Sequence, residues 1–172
     1  MTLMLRAMPA MIFVFFLAGC GDSVEEVLED DMTQLEILEE TETKSGNVVF
    51  YKTESPVETY GAKLLKKSGS DWEIVLGSEI PSPKDAENIA WGVSSTKDEP
   101  TFFYGIVKNK KIEKLTINGT DAKIINRKQG DNLFYLLTSN DIFSIQNNSE
   151  KGIQIEGFSG DGEVIYQRLK LN

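Results

Sequence analysis

The spacing of apolar residues changes twice along the chain. Residues 11–17 (Met-Ile-Phe-Val-Phe-Phe-Leu) form an unbroken apolar run. Val24, Val27, Leu28, Met32 and Leu35 then recur at the three- and four-residue intervals of a helix face. Ser23 followed by Glu26 reads as a capping box, in which each side chain bonds the other residue's backbone amide. The early acids suit the positive end of a helix dipole. The spacing predicts a short amphipathic helix over 24–33.

From Leu35 onward the period is that of strands. Leu35-Glu36-Ile37-Leu38 is short and mixed, Val48-Val49-Phe50-Tyr51 is β-branched and aromatic, and residues 60–67 and 72–77 follow around the turn Ser68-Gly69-Ser70-Asp71. These predict an antiparallel meander with one wet face and one face covered by the helix. Pro81-Ser82-Pro83-Lys84-Asp85 has turn formers and no apolar period, which marks a boundary. Beyond it, Ile89-Ala90-Trp91-Gly92-Val93 starts a series of strands predicted at 101–108, 111–118, 122–127, 132–138, 152–158 and 164–169. Explicit turns separate them, among them Asn118-Gly119-Thr120-Asp121, Gln129-Gly130-Asp131-Asn132, Asn147-Asn148-Ser149 and Gly160-Asp161-Gly162. Leu133-Phe134-Tyr135-Leu136-Leu137 is apolar on both faces, as in a central strand.

The expected fold class is therefore mostly β. A small α+β N-terminal unit, the meander under its short helix, precedes an Ig-like β-sandwich. The expected segments are 1–19 as a signal peptide, 20–34 as an acidic tether with the short helix, 35–80 as the small sheet unit, 81–88 as a linker and 89–172 as the sandwich.

Charge sharpens this division. The net charge is −9, yet residues 22–42 hold ten acids and no bases, while residues 43–172 hold 17 of each. The acidity belongs to the segment between the apolar run and the sheets, where the ordinary reading is a solvated face that keeps the body clear of a membrane. Nothing forms a basic stripe, so nucleic acid is not an expected partner.

The apolar stretch 7–19 is 13 residues long and contains Pro9, too short for a membrane span of about 20. Arg6 precedes it, and Leu17-Ala18-Gly19-Cys20 closes it. A positive start, a short apolar core and small residues at a cleavage point describe an export signal. Leu17-Ala18-Gly19-Cys20 resembles the lipobox of bacterial lipoprotein precursors. That resemblance implies a diacylglyceryl group on the Cys20 thiol and cleavage just before it, with Leu17, Ala18 and Gly19 as the signal-peptidase recognition residues. It implies an extracytoplasmic protein held at the cell membrane through the lipid on Cys20. Cys20 is the only cysteine, so no intrachain disulfide can form. The order of Val48-Val49-Phe50-Tyr51, Lys66-Lys67, Trp72-Glu73, Tyr104-Gly105-Ile106-Val107 and Gly160-Asp161-Gly162-Glu163-Val164-Ile165-Tyr166 further resembles small lipoproteins and secreted proteins of Gram-positive bacteria, a family without an assigned activity. Its members often carry a second aromatic beside Trp72, where this chain has Asp71 and Glu73.

Candidate chemistry is sparse. The chain has no histidine, which removes histidine-based nucleophile systems and the usual zinc sites. Glu73, Glu79 and Asp85 are candidates for a carboxylate pair of the glycosidase kind. Asp161-Gly162-Glu163 supplies two oxygen ligands without EF-hand spacing and reads as a hairpin turn. Trp72, Trp91, Phe102, Phe103, Tyr104, Phe134 and Tyr135 suit a glycan- or peptide-binding groove, although strand aromatics commonly pack in cores. Asn118-Gly119-Thr120 and Asn147-Asn148-Ser149 match a glycosylation sequon and read as turns. The expected function is a non-catalytic binding or interaction module with an envelope protein or cell-wall ligand as partner, and no cofactor or metal. The alternatives are a carboxylate-dependent hydrolase of envelope glycans and a structural or stress-associated envelope lipoprotein.

Overall fold

In a computed structural model of the chain, the residues described are 23–29, 32, 34–54, 58–80, 84, 86, 88–139 and 152–170. Among the described residues, one helix, α1 (Val24–Glu29), precedes two antiparallel sheets. The first is the four-stranded meander of β1 (Leu35–Thr43), β2 (Gly46–Thr53), β3 (Thr59–Ser68) and β4 (Asp71–Glu79), in that spatial order. The second contains β5 (Ile89–Ser94), β6 (Thr101–Val107), β7 (Lys114–Ile117), β8 (Thr120–Ile125), β9 (Asn132–Thr138), β10 (Ile153–Phe158) and β11 (Val164–Lys170). Their order is β11-β10-β7-β8-β9-β6-β5. No helix among the described residues is long and apolar enough to cross a membrane.

The seven-stranded sheet turns a corner at β8. Residues 120–122 pair with β7, and residues 123–125 pair with β9. The halves on either side of the corner face each other. Phe103, Val107, Phe134 and Leu136 from β6 and β9 pack against Leu115, Ile117, Ile153 and Ile155 from β7 and β10. With β5 to β11 taken as the seven successive strands, first, second, fifth and fourth form one layer, and third, sixth and seventh the other. That is the pairing of an immunoglobulin-type sandwich, with the fourth strand shared between layers.

The expected helix, meander and sandwich are all present, but the layers stack further than expected. The helix covers one face of the meander: Val24 and Leu28 pack with Val49 and Leu65. The other face, expected to be wet, carries Val48, Phe50, Ala62 and Leu64, which pack on Phe102, Tyr104, Ile106 and Leu133 of the sandwich. The reason lies in β2, whose successive residues Val48, Val49 and Phe50 are all 0% exposed and so need cover on both sides. Four layers result: helix, meander, β5-β6-β9 and β7-β10-β11.

Several boundaries moved for identifiable reasons. The described helix is Val24–Glu29, and Met32, expected within it, lies outside it; Gln34 has a positive φ of 57°, which turns the chain so that Leu35 opens β1 while facing the same small core. Residues 35–38, expected as a short piece, open a nine-residue strand. Ile112, expected inside a strand, lies before β7 and is buried against Gly157, where a side chain would press tightly on it. Residues 126 and 127, expected as strand, belong to the loop after β8. Much of the expected linker 81–88 lies outside the described residues.

Two irregularities decide which way side chains point. The register of β4 against β3 shifts between Leu65 paired with Ile74 and Leu64 paired with Leu76, which leaves Val75 as an extra residue. Trp72 and Ile74 consequently face the helix, whereas Leu76 and Ile80 face the sandwich. In β1 the register shifts at Leu38, which packs toward the sandwich, while Leu35 and Ile37 face the helix.

The capping box forms as expected. The Ser23 amide donates to Glu26 Oε2 at 2.7 Å, and the Glu26 amide donates to Ser23 Oγ at 3.2 Å. A helix of six residues has little stability of its own, so its position depends on Leu28, which is 0% exposed. Leu28→Ala should therefore lower the stability of the whole fold by about 2–5 kcal/mol, and Ser23→Ala by about 1 kcal/mol. Urea unfolding midpoints measure both; a Leu28→Ala loss under about 1 kcal/mol would show that the helix is not part of the cooperative unit.

Candidate functional site

Where the meander meets the sandwich, the shared core opens into a cleft of about 260 Å³. Its floor is apolar: Leu38 from β1, Ile106 from β6 and Leu133 from β9. One rim is a row across the meander. Glu36 is the cross-strand partner of Lys52, and Lys52 is the partner of Tyr60. The opposite rim is the β8–β9 loop, which contributes Arg127, Gln129, Gly130 and Asp131. The cleft exists because this polar row follows the apolar residues of β1 to β3, so the two sheets cannot close on each other there.

The loop is held rigidly from beneath. Asn132, 5% exposed, accepts on Oδ1 from the Arg127 amide at 3.2 Å and from Lys110 Nζ at 3.0 Å. Its Nδ2 donates to Asn126 Oδ1 at 3.0 Å. Lys110 Nζ also donates to the Gly130 carbonyl at 2.6 Å, and Gly130 has a φ of 75° that favours glycine. A buried Asn, bonded through both its amide oxygen and its amide nitrogen, thus fixes the backbone that carries Arg127 and Asp131.

Charge on the meander side is partly committed. Lys52 Nζ lies 3.0 Å from Glu54 and 3.2 Å from Glu58, and Lys84 lies 3.4 Å from Glu58. The hydrogen bonds that Lys52 donates to Glu54 and Glu58 hold its ammonium above the ordinary lysine range. The Lys52 hydrogen bond, helped by the charges of Lys52 and Lys84, holds Glu58 below the ordinary carboxylate range. Burial pushes the Tyr60 phenol upward, as does the charge of Glu58, so Tyr60 stays protonated and able to donate. In contrast, Glu36, Arg127 and Asp131 form no side-chain hydrogen bond or ion pair among the described residues.

The residues singled out in the sequence fall elsewhere. Cys20, Leu17, Ala18, Gly19 and Asp85 lie outside the described residues. Glu73 and Glu79 are exposed on β4, on opposite faces of the strand because of the extra residue Val75, and do not form a pair. Asp161-Gly162-Glu163 is the β10–β11 turn. The Ser159 hydroxyl donates to Asp161 and to the Glu163 carbonyl, and the first of these bonds lowers the Asp161 carboxyl. Asn118 is also a turn residue, with a φ of 49° and its Oδ1 accepting from the Gln154 amide at 2.8 Å. The second sequon, 147–149, lies outside the described residues.

The aromatics pack rather than line the cleft. Phe102, Phe103, Tyr104 and Phe134 are all 0% exposed, Trp72 packs beneath the helix, and Trp91 packs in the sandwich core. Lys67 and Lys123 lie over Trp72 and Tyr135, each its own cross-strand partner, at 5.7 and 5.6 Å from the ring centroids. The cleft residues themselves escaped sequence reading. Glu36 and Lys52 sit in ordinary strand positions, and Arg127 was expected inside a strand. The only available signal was the Gly-Asp-Asn turn at 130–132 that orders the loop.

The Glu58 interaction has a defined pH signature. A carboxylate with a lowered folded pKa stabilises the protein fully above its unfolded value, about 4.3, and loses that contribution as pH falls through the folded value. Wild type should therefore exceed Glu58→Gln in urea midpoint by a constant margin above about pH 5. The margin should shrink progressively as the pH is taken further into acid and Glu58 becomes protonated in the folded state. A margin that persists unchanged in acid would contradict the assignment of Glu58 to Lys52 and Lys84.

Against known proteins, no family model, no curated sequence and no solved structure matches this chain.

Proposed function

We propose that the protein is an extracytoplasmic binding module anchored to the cell membrane through a diacylglyceryl group on Cys20, with the cleft between meander and sandwich as its contact surface. The observation that carries this reading is Leu17-Ala18-Gly19-Cys20 at the end of an apolar run too short to span a bilayer. Two acyl chains on one sulfur suffice for stable attachment, where one chain does not. The module recognises a ligand or an envelope partner and carries out no reaction of its own.

The docked helix supports a short reach from the membrane. Ser23 already belongs to the capped helix, and only three residue steps separate it from Cys20. Three extended residues span about 11 Å at most. The acids at 25, 26 and 29 are a solvated face, as expected for such a charge run, but that face belongs to the folded body. The acidic segment is then less a stalk than the membrane-proximal side of the domain.

Of the three carboxylates considered for a hydrolase, Glu73 and Glu79 face apart on β4, and Asp85 lies outside the described residues. The test of the anchor is direct. The mature chain should begin at Cys20 with a mass increment for the diacylglyceryl group, and Cys20→Ala should remove that increment and leave an uncut precursor. Native protein beginning at Met1 without acylation, or acyl labelling that survives Cys20→Ala, would overturn the anchor.

A further inference from the structure

We propose that the cleft binds a small zwitterion with an aliphatic side chain, a free amino acid or the short peptide that carries the same two charges. This deepens the binding-module reading and rests on it. Three observations lead to it. The floor of Leu38, Ile106 and Leu133 is aliphatic, as suits an uncharged branched side chain. The volume, about 260 Å³, lies just below the range of about 300–1,000 Å³ typical of sites for drug-sized ligands. The occupant is accordingly of amino-acid or dipeptide size.

The third observation is electrostatic. Lys52 is held by Glu54 and Glu58, whereas Glu36, Arg127 and Asp131 share the cleft without pairing with one another or with any other described side chain. A site for an anion would have no use for Glu36 and Asp131, and a site for a cation would have no use for Arg127. Uncommitted groups of both signs around one apolar floor complement a ligand that carries both charges. The planar Arg127 guanidinium takes the carboxylate in fork geometry. The protonated Tyr60 hydroxyl stands on the facing rim as a further donor, and Glu36 and Asp131 accept from the ammonium. Asn132 and Lys110 hold the Arg127 backbone before any ligand arrives, which lowers the ordering cost of binding.

The experiment is calorimetric titration of the full mature chain in detergent with L-leucine, L-leucyl-L-leucine, N-acetyl-L-leucine and L-leucinamide. Leucine or leucyl-leucine should bind, and the tighter of the two identifies the source. N-acetyl-leucine, which lacks the ammonium, and leucinamide, which lacks the carboxylate, should each bind at least about tenfold more weakly, as expected for a lost charge-assisted pair. Arg127→Gln should weaken leucine by a similar factor and abolish its advantage over leucinamide. Glu36→Gln should instead erode the advantage over N-acetyl-leucine. Unchanged urea midpoints in both variants would assign the losses to the site and not to unfolding. Absence of binding by leucine and leucyl-leucine at millimolar concentration, equal binding of blocked and unblocked forms, or an Arg127→Gln variant with wild-type affinity would overturn the assignment. The mass of the mature N-terminus reads the anchor separately, so either proposal can fail alone.

Discussion

A β-strand sends alternate side chains to opposite faces, and β6 has no polar face to offer water. All seven of its residues are buried: Phe102, Tyr104 and Ile106 on one side, Phe103 and Val107 on the other. Its neighbour β9 is divided likewise, with Leu133 and Tyr135 against the meander and Phe134 and Leu136 inside the sandwich. A sheet apolar on both faces needs cover twice. The folded-over half of its own sheet supplies one layer and the meander supplies the other. The meander in turn has a second apolar face at Val49 and Leu65, which the helix covers. The order of layers follows from this single requirement.

Polar contacts then set the register of layers that hydrophobic packing leaves free to slide. Tyr104, in the middle of the shared core, brings its hydroxyl to 2.7 Å from Ser78 Oγ on β4. The bulge at Val75 turns the second half of β4 so that Leu76 and Ile80 face the sandwich, and Ser78 shares that alternation. Gly92 leaves room for the Tyr104 ring, and a side chain at Gly105 would strike both the Ala90 carbonyl and Phe134. Lys66 on β3 pairs with Glu99 in the β5–β6 loop and ties the units at their margin. The cleft lies where the apolar residues give way to Glu36, Lys52 and Tyr60. The same alternation that seals the core therefore ends by leaving an opening beside it.

These facts bear on function through distance and charge. The helix beneath the meander makes the first described residues part of the folded body. The cleft opens between two units joined by packing rather than at a loop tip, and its loop is prebonded by Asn132. Such a place suits recognition of a small ligand by a fixed surface. It contains neither histidine nor thiol, and it offers charge and shape.

Much of the architecture was legible because periodicity is a local property. The capping box of Ser23 and Glu26, the strands from Val48 onward, the central character of Leu133 to Leu137, and the turn at Asp161-Gly162 all follow from neighbours within a few residues. The lipobox proposed at Leu17-Ala18-Gly19-Cys20 would likewise be a linear signal, carried by four adjacent residues. Long-range packing decided the rest. No local pattern tells that the second face of the meander would be covered by β6, because Val48 and Phe50 look the same whether they meet a helix, a sheet or a partner. Nor does spacing reveal an extra residue at Val75, which swaps the faces of Glu73 and Glu79 and separates them. The cleft was invisible for the same reason. Glu36, Tyr60, Arg127 and Asp131 are ordinary surface residues in the sequence, and only the stacking of two sheets brings them around one floor.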